Sequence, residues 1–142
     1  MDSYHISLQI TDAQSRLSAA QSRLRSLRKD KSDLEDLSRQ HSSMQSAVTS
    51  DMEARMRRLE GCTLDPLKVR SFASYKAAMQ EKLSGGQRIT SSLDDASTRI
   101  TRAKDNVDSQ IAFASRSCDS IQSEINTLQA QLRNARILEA SA

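Results

Sequence analysis

The first sixty residues of this chain contain neither glycine nor proline, and the residues after Gly86 also lack both. The three glycines and the single proline, Gly61, Pro66, Gly85 and Gly86, all lie in the middle of the chain. Glycine and proline are the residues that most often end helices. Their placement therefore favours two helices that are far longer than average, with one turn between them.

The apolar residues of the first half follow one another at steps of four and three. They are Ile6, Ile10, Ala13, Leu17, Ala20, Leu24, Leu27 and Leu34, with Lys31 in the one polar slot of the series. This spacing is typical of the seam of a coiled-coil helix. After Leu34 the spacing slips, and since no glycine or proline intervenes, a change in supercoil is favoured over a break. The pattern predicts one helix over residues 3–60.

The stretch from Leu59 to Pro66 carries the signals of a turn between helices. Gly61 can adopt the left-handed conformation that closes a helix, and Asp65 followed by Pro66 is typical of the start of the next one. We therefore predict a turn at about residues 60–66, with residues 61–66 outside both helices, and a second helix over residues 67–138. The predicted fold is all-α, a long antiparallel two-helix hairpin that forms a single domain over residues 1–142.

Gly85 and Gly86 are the ambiguous point of the second helix, because two adjacent glycines destabilise a helix by about 2 kcal/mol relative to alanine. They could mark a second turn or a kink. If the chain folds back once, the numbers of facing residues sum to about 127, and apolar residues then repeatedly face apolar residues. This register favours a kinked continuous helix, and it places His41 opposite Gly86, where a glycine would make room for the ring.

The same register leaves residues 126–142 extending beyond the first helix. Leu128, Leu132 and Leu138 continue the apolar seam there, and we predict that they bind helices of another chain. A two-helix hairpin with one narrow apolar stripe per helix buries little surface and often completes a larger bundle. A hetero-oligomer is therefore expected rather than a monomer.

No arrangement of residues indicates a reaction. His5 and His41 are the only histidines, and on one helix they would lie about 54 Å apart, so they cannot share a metal. Cys62 and Cys118 fit neither a metal cluster nor a disulfide framework. The string "LSGGQR" lacks the lysine and the spacing of a phosphate-binding loop. We predict a protein that is not an enzyme, with no catalytic residue, cofactor or metal.

Charge and hydropathy narrow the function further. The stretch up to Gly61 has ten Lys/Arg against nine Asp/Glu, and the remainder has eleven against nine, so no half forms the basic arm that nucleic-acid binding needs. The sequence has no apolar run long enough to span a membrane and no signal-peptide pattern at residues 1–12. We therefore expect a soluble, cytoplasmic protein that neither binds nucleic acid nor inserts into a membrane.

A helical hairpin with Leu59-Glu60-Gly61 at its turn resembles the ESX-like secretion proteins, in which a Trp-x-Gly turn joins two antiparallel helices. The long first helix, the Ser/Gln-rich seams and the closing stretch "IQSEINTLQAQLRNARI" more closely resemble the small α-helical partners of LXG toxins in type VIIb secretion systems. The Trp is missing, as is the family's Tyr-x-x-x-Asp/Glu export motif, because Met79 follows Tyr75 by four residues.

This resemblance implies an adaptor that binds the helical N-terminal domain of an LXG toxin, with a second small helical protein as a further partner. It implies that the adaptor helps to target the toxin, and it allows export of the adaptor together with the toxin. Two other hypotheses stay open. One is a generic coiled-coil scaffold or tethering subunit, and the other is a helix pair that binds a membrane surface or nucleic acid.

Overall fold

The computed structural model describes residues 2–60 and 69–142, and it describes the side chains of residues 2–59 and 74–142. Two helices, α1 (Ser3–Glu60) and α2 (Val69–Ser141), make up the described chain, and they pack against each other. The prediction of an all-α helical hairpin is confirmed. The long helices follow from the absence of glycine and proline on either side of the middle region.

The predicted helix bounds agree closely with the observed ones. The first helix has the predicted range, and α2 ends at Ser141, three residues after the predicted end at 138. Leu59 is buried at the last turn of α1. The other predicted turn residues, Gly61, Asp65 and Pro66, lie outside the described residues, as does the predicted start of the second helix at 67.

The two adjacent glycines do not end α2. Gly85 and Gly86 both lie inside the helix, and neither has a positive φ. The continuous helix is therefore confirmed, and a second turn at this point is wrong. Tertiary packing overrides the low helix propensity of glycine here. A kink at this point stays a prediction.

The described chain divides into two compact units, each of which contains a part of both helices. We call Met1–Asp33 with Lys104–Ala142 the terminal unit, and Leu34–Ala103 the middle unit. The terminal unit contains both clusters of buried apolar residues that we describe. The first is Ile6, Ile10, Ala13, Ile125 and Leu128, and the second is Leu24, Leu27 and Ala114.

Polar pairs across the helices of the terminal unit fix its register. Ser3 pairs with Glu139, Arg16 with Glu124 and Lys31 with Asp108. These pairs confirm that the helices are antiparallel, and their residue numbers sum to 142, 140 and 139. The predicted sum of about 127 is therefore wrong by about 12 to 15 residues, which is three to four helical turns. A slip by whole turns returns the same apolar stripe to the partner helix, so periodicity alone does not distinguish these registers.

The start of α1 and the end of α2 therefore lie side by side, and the predicted overhang of residues 126–142 is wrong. The carboxylate of Glu139 accepts hydrogen bonds from the Ser3 backbone N–H at 2.9 Å and from the Ser3 hydroxyl at 2.8 Å. Hydrogen bonds from the backbone and side chain of Ser3 lower the pKa of Glu139. Glu139 thus binds an N–H group at the start of α1 that no turn of the helix can satisfy.

Asp2, the residue directly before α1, caps the start of this helix. Its carboxylate accepts a hydrogen bond from the backbone N–H of His5 at 2.9 Å and lies 2.6 Å from the His5 ring nitrogen Nδ1. The backbone hydrogen bond, followed by the side-chain one, lowers the pKa of Asp2. An aspartate in this position is among the best N-caps, which explains why α1 starts at Ser3.

The middle unit buries fewer side chains than the terminal unit. Its buried residues within the described chain are Leu59, Leu83 and His41. The ring nitrogen Nε2 of His41 lies 2.7 Å from the backbone carbonyl oxygen of Leu93. Because that oxygen can only accept, Nε2 carries the proton in this contact.

The residue that approaches Gly86 is Met52 rather than His41. A Cβ atom added at Gly86 would lie 3.1 Å from Met52 Cε and 3.2 Å from Met52 Sδ. The hydroxyl of Thr90 donates to the same Met52 sulfur at 3.2 Å. The prediction that Gly86 makes room for the His41 ring is therefore wrong, for the same reason that the predicted register is wrong.

Candidate partner-binding surface

The three leucines predicted to bind a partner differ in their surroundings. Leu128 is only 9% exposed and belongs to the core cluster of Ile6 and Ile10. Leu132 is partly buried and packs against the same cluster, whereas Leu138 is 71% exposed. Two of the three leucines therefore stabilise the chain's own helix pair, because the corrected register places α1 beside them. Only Leu138 is left fully open to another molecule.

Large apolar side chains are nevertheless common on the described surface. Eight of the ten buried apolar residues are larger than alanine, and ten large apolar residues are exposed. The exposed ones are Tyr4, Leu8, Leu37, Met44, Met56, Tyr75, Ile89, Phe113, Ile137 and Leu138. Single exposed apolar residues are ordinary, but here they outnumber the large residues of the core. A binding site is favoured where such residues lie beside a concave surface.

Such a concave surface lies within the middle unit, between α1 and α2. It has a volume of about 590 Å³. Its lining residues are Val48, Asp51, Met52, Arg55, Met79, Lys82, Leu83, Gly85, Gly86 and Ile89, and we call this surface the methionine groove. Seven of these ten residues are apolar or glycine, so a ligand that fills the groove would bury mainly apolar surface.

The methionine groove adjoins a second depression of about 310 Å³ towards the end of α1. Arg55 and Met79 line both, and the second depression adds Leu59, Tyr75 and Arg58. On α2 the combined surface extends from Tyr75 to Ile89, which corresponds to about 21 Å of helix. This length matches about four turns of another helix. Methionine side chains adapt readily to different apolar partners.

The two glycines of the groove have different surroundings. Packing within the chain explains the glycine at position 86, because Met52 occupies the space that a side chain of Gly86 would need. No such contact explains the glycine at position 85, since a Cβ atom added to Gly85 would meet nothing within 4 Å. An alanine at Gly85 would stabilise α2 by about 0.5 to 1 kcal/mol without a steric conflict. The described chain therefore gives no packing reason for glycine at this position.

Basic residues are concentrated in the middle of the sequence, which contributes part of the groove lining. Residues 55–88 contain eight Lys/Arg and three Asp/Glu, a net charge of +5, and the rest of the chain has thirteen against fifteen, a net charge of −2. Together these values give the formal net charge of +3. A count by halves divided at Gly61 conceals this region, because it places about half of the basic residues in each part. For this reason the two halves have nearly equal charge although the middle of the sequence is basic.

Within the groove itself, the charged lining residues are Arg55, Lys82 and Asp51. Arg55 Nε lies 3.0 Å from an Asp51 carboxylate oxygen, and both side chains are largely exposed. This surface pair contributes little to stability, but it leaves the groove lining with a net positive charge. An apolar groove with a basic rim suits a ligand that is apolar on one side and acidic at its edges.

Three further features of the described residues concern metal ligation, thiols and membrane spans. No group of three or more His, Cys, Asp or Glu residues that could hold a metal ion occurs among them. Cys118 is a half-buried free thiol that packs against the cluster of Leu24, Leu27 and Ala114. Within the same residues, neither helix has a stretch long and apolar enough to cross a membrane.

No protein-family model matches this chain, and comparisons with curated proteins and with solved structures found no significant match. The resemblance to the small partners of LXG toxins therefore stays a prediction.

Proposed function

We propose that this protein is a non-enzymatic adaptor that binds helices of a partner protein through its exposed apolar surface. The partner we propose is the helical N-terminal domain of a secreted LXG-type toxin, which the adaptor helps to deliver to a type VIIb secretion system. The observation that carries the binding role is the excess of large exposed apolar side chains over large buried ones in the described chain.

Energetics supports a binding role. Burying a large apolar side chain against a partner is worth about 1.5 to 3 kcal/mol. In a hairpin of two helices, one stripe of each helix faces the other, and the remaining surface faces outward. Association with further helices would bury the side chains that the pair leaves exposed, as in a helical bundle.

The identity of the partner rests on the sequence resemblance. The long first helix, the Ser/Gln-rich seams and the closing stretch "IQSEINTLQAQLRNARI" support an LXG toxin rather than an arbitrary helical protein. The Leu59-Glu60-Gly61 stretch supports the wider ESX-like group. A generic scaffold or tethering subunit shares the hairpin fold but would bind a different partner. The genes beside the one for this protein distinguish the two hypotheses.

Co-purification tests the proposal. The full chain is co-expressed with the helical N-terminal domain of the large toxin encoded beside it, and the pair is analysed by size-exclusion chromatography with light scattering. We expect one peak with the summed mass of both proteins. An unrelated helical hairpin of similar length serves as the negative control. Separate elution of the two proteins, or neighbouring genes that encode no such toxin, would contradict the toxin assignment and favour the scaffold.

A further inference from the structure

We infer that the methionine groove of the middle unit binds an amphipathic α-helix of a partner protein, with acidic residues along both edges of its apolar stripe. This inference rests on the proposed adaptor function and adds the site and the chemistry of the partner.

Shape favours a helix as the ligand. Both α1 and α2 line the groove, and with the adjoining depression it extends along α2 from Tyr75 to Ile89. An elongated apolar groove between two helices accepts a third helix, whose apolar side chains at positions i, i+3, i+4 and i+7 enter it. Met52 and Met79 can adjust to those side chains.

Gly85 supports close approach by a second backbone. It lines the groove, and the space where its side chain would stand is open. Glycine in a helix allows a neighbouring helix to come nearer than any side chain would permit. Gly86 beside it is already covered by Met52, so Gly85 is the point of the groove at which a partner helix can approach most closely.

Charge selects the kind of helix. The charged residues that line the groove and its adjoining depression are three basic ones, Arg55, Arg58 and Lys82, and one acidic one, Asp51. Lys82 and Arg55 stand at the groove, with Asp51 as the acidic lining residue. Complementary charge speeds association and excludes basic partners. The partner helix should therefore carry Glu or Asp beside its apolar stripe.

A basic, apolar region could also attract an anionic membrane surface. Membrane binding uses apolar residues that protrude from a helix face, whereas the apolar lining of this site forms a concave surface between two helices. Concavity favours a narrow rod-shaped ligand over a flat one. The groove therefore suits a helix better than a membrane, and membrane binding is an alternative outcome of the test.

The experiment uses the full chain and two 18-residue synthetic peptides, each cross-linked so that it remains helical. Both peptides carry leucine at i, i+3, i+4 and i+7, and they differ only in having Glu or Lys on either side of this stripe. Binding is measured by fluorescence anisotropy at low and high salt. We expect the Glu peptide to bind at least about tenfold more tightly than the Lys peptide, with a difference that shrinks as salt screens the charges.

Three variants locate the binding site. Gly85→Leu fills the groove and is expected to weaken binding of the Glu peptide by at least about tenfold. Ser91→Leu adds the same side chain at an exposed position of α2 that does not line the groove, and it should leave binding unchanged. Lys82→Glu should weaken binding of the Glu peptide by about threefold to tenfold and strengthen binding of the Lys peptide. Circular dichroism of each variant verifies that the helices are intact.

Equal binding of the two peptides, or an equal effect of Gly85→Leu and Ser91→Leu, would overturn the inference. So would binding to phosphatidylserine vesicles that Gly85→Leu abolishes while neither peptide binds. The same variants are then tested with the toxin domain. If the toxin domain binds all of them equally, the adaptor function stands and the groove inference fails. If the Glu peptide binds in the groove and the toxin domain does not bind, the groove inference stands and the toxin assignment fails.

Discussion

The terminal and middle units are built from the same two helices, yet they bury very different side chains. In the terminal unit, Ile, Leu and Ala side chains form two clusters, and ion pairs such as Arg16 with Glu124 join α1 to α2. In the middle unit, Leu59, Leu83 and His41 are buried, and methionines line an open groove. Ion pairs there such as Asp51 with Arg55 lie within α1.

This difference indicates a division of roles within one fold. A branched aliphatic and alanine core specifies one close packing arrangement, whereas methionine tolerates several. The terminal unit has the composition that holds a helix pair together by itself. The middle unit has the composition of a surface that adapts to something else. Substitutions in each unit can test this division of roles.

The largest effect is expected for Leu128→Asp in the terminal unit. The substitution places an unpaired carboxylate in a cluster with Ile6 and Ile10, and it should lower the free energy of unfolding by about 3 to 5 kcal/mol. Leu138→Asp is the matched control, because Leu138 is exposed, and it should change stability by less than about 0.5 kcal/mol. Urea unfolding followed by circular dichroism measures both. Equal losses would mean that the observed register is incorrect.

A smaller loss is expected for Ala13→Leu. Ala13 is 0% exposed at the contact between the helices of the terminal unit, so extra methylene groups must push the helices apart. The expected loss of unfolding free energy is about 1 to 3 kcal/mol. Ala19 is exposed on the same helix, and Ala19→Leu should be nearly neutral. If Ala13→Leu were also neutral, the terminal unit would be as adaptable as the middle unit, and the comparison would fail.

The adjacent glycines of the middle unit should respond differently to alanine. Gly85→Ala should raise the free energy of unfolding by about 0.5 to 1 kcal/mol, because helix propensity improves and no atom lies in the way. Gly86→Ala gains the same propensity but presses on Met52, so its net gain should be smaller. Thermal unfolding of both variants checks the order. A larger gain at Gly86 would contradict the packing described for Met52.

The smallest effect concerns the carboxylates that cap α1 in the terminal unit. Their pKa values are lowered in the folded state by hydrogen bonds to Glu139 and Asp2. The stability that they contribute is therefore fully present above their unfolded pKa values and is lost as pH falls through the folded ones. Glu139→Gln should lower the melting temperature slightly at pH 7 and less at pH 3. An equal reduction at both pH values would show that the charge of Glu139 has no part in capping.

The sequence predicted the helices well and the register poorly, and both outcomes have physical causes. Helix existence depends on local signals, namely the apolar steps from Ile6 to Leu34 and the confinement of glycine to the middle region. Register depends on which of several alignments of α1 with α2, shifted by whole helical turns, packs best. A shift by whole helical turns leaves the apolar pattern nearly unchanged, so Leu128 could be assigned to an overhang although it packs beside Ile10.

The candidate site was harder to predict than the fold. The lining of the groove depends on residues from α1 and α2 that only the correct register brings together, such as Met52 and Gly86. The basic lining residues Arg55 and Lys82 lie on opposite sides of Gly61 in the sequence, so a charge count by halves does not bring them together. Leu138 is exposed, although the overhang predicted for it is wrong.

The contact between Ser3 and Glu139 has a mechanical consequence for the terminal unit. The Ser3 hydroxyl oxygen and a Glu139 carboxylate oxygen are 2.8 Å apart. The start of α1 and the end of α2 therefore lie side by side. A force that pulls them apart acts first on this one contact and then on each successive helical turn. It opens the pair like a zipper, turn by turn, instead of loading all the contacts at once as a sliding force would.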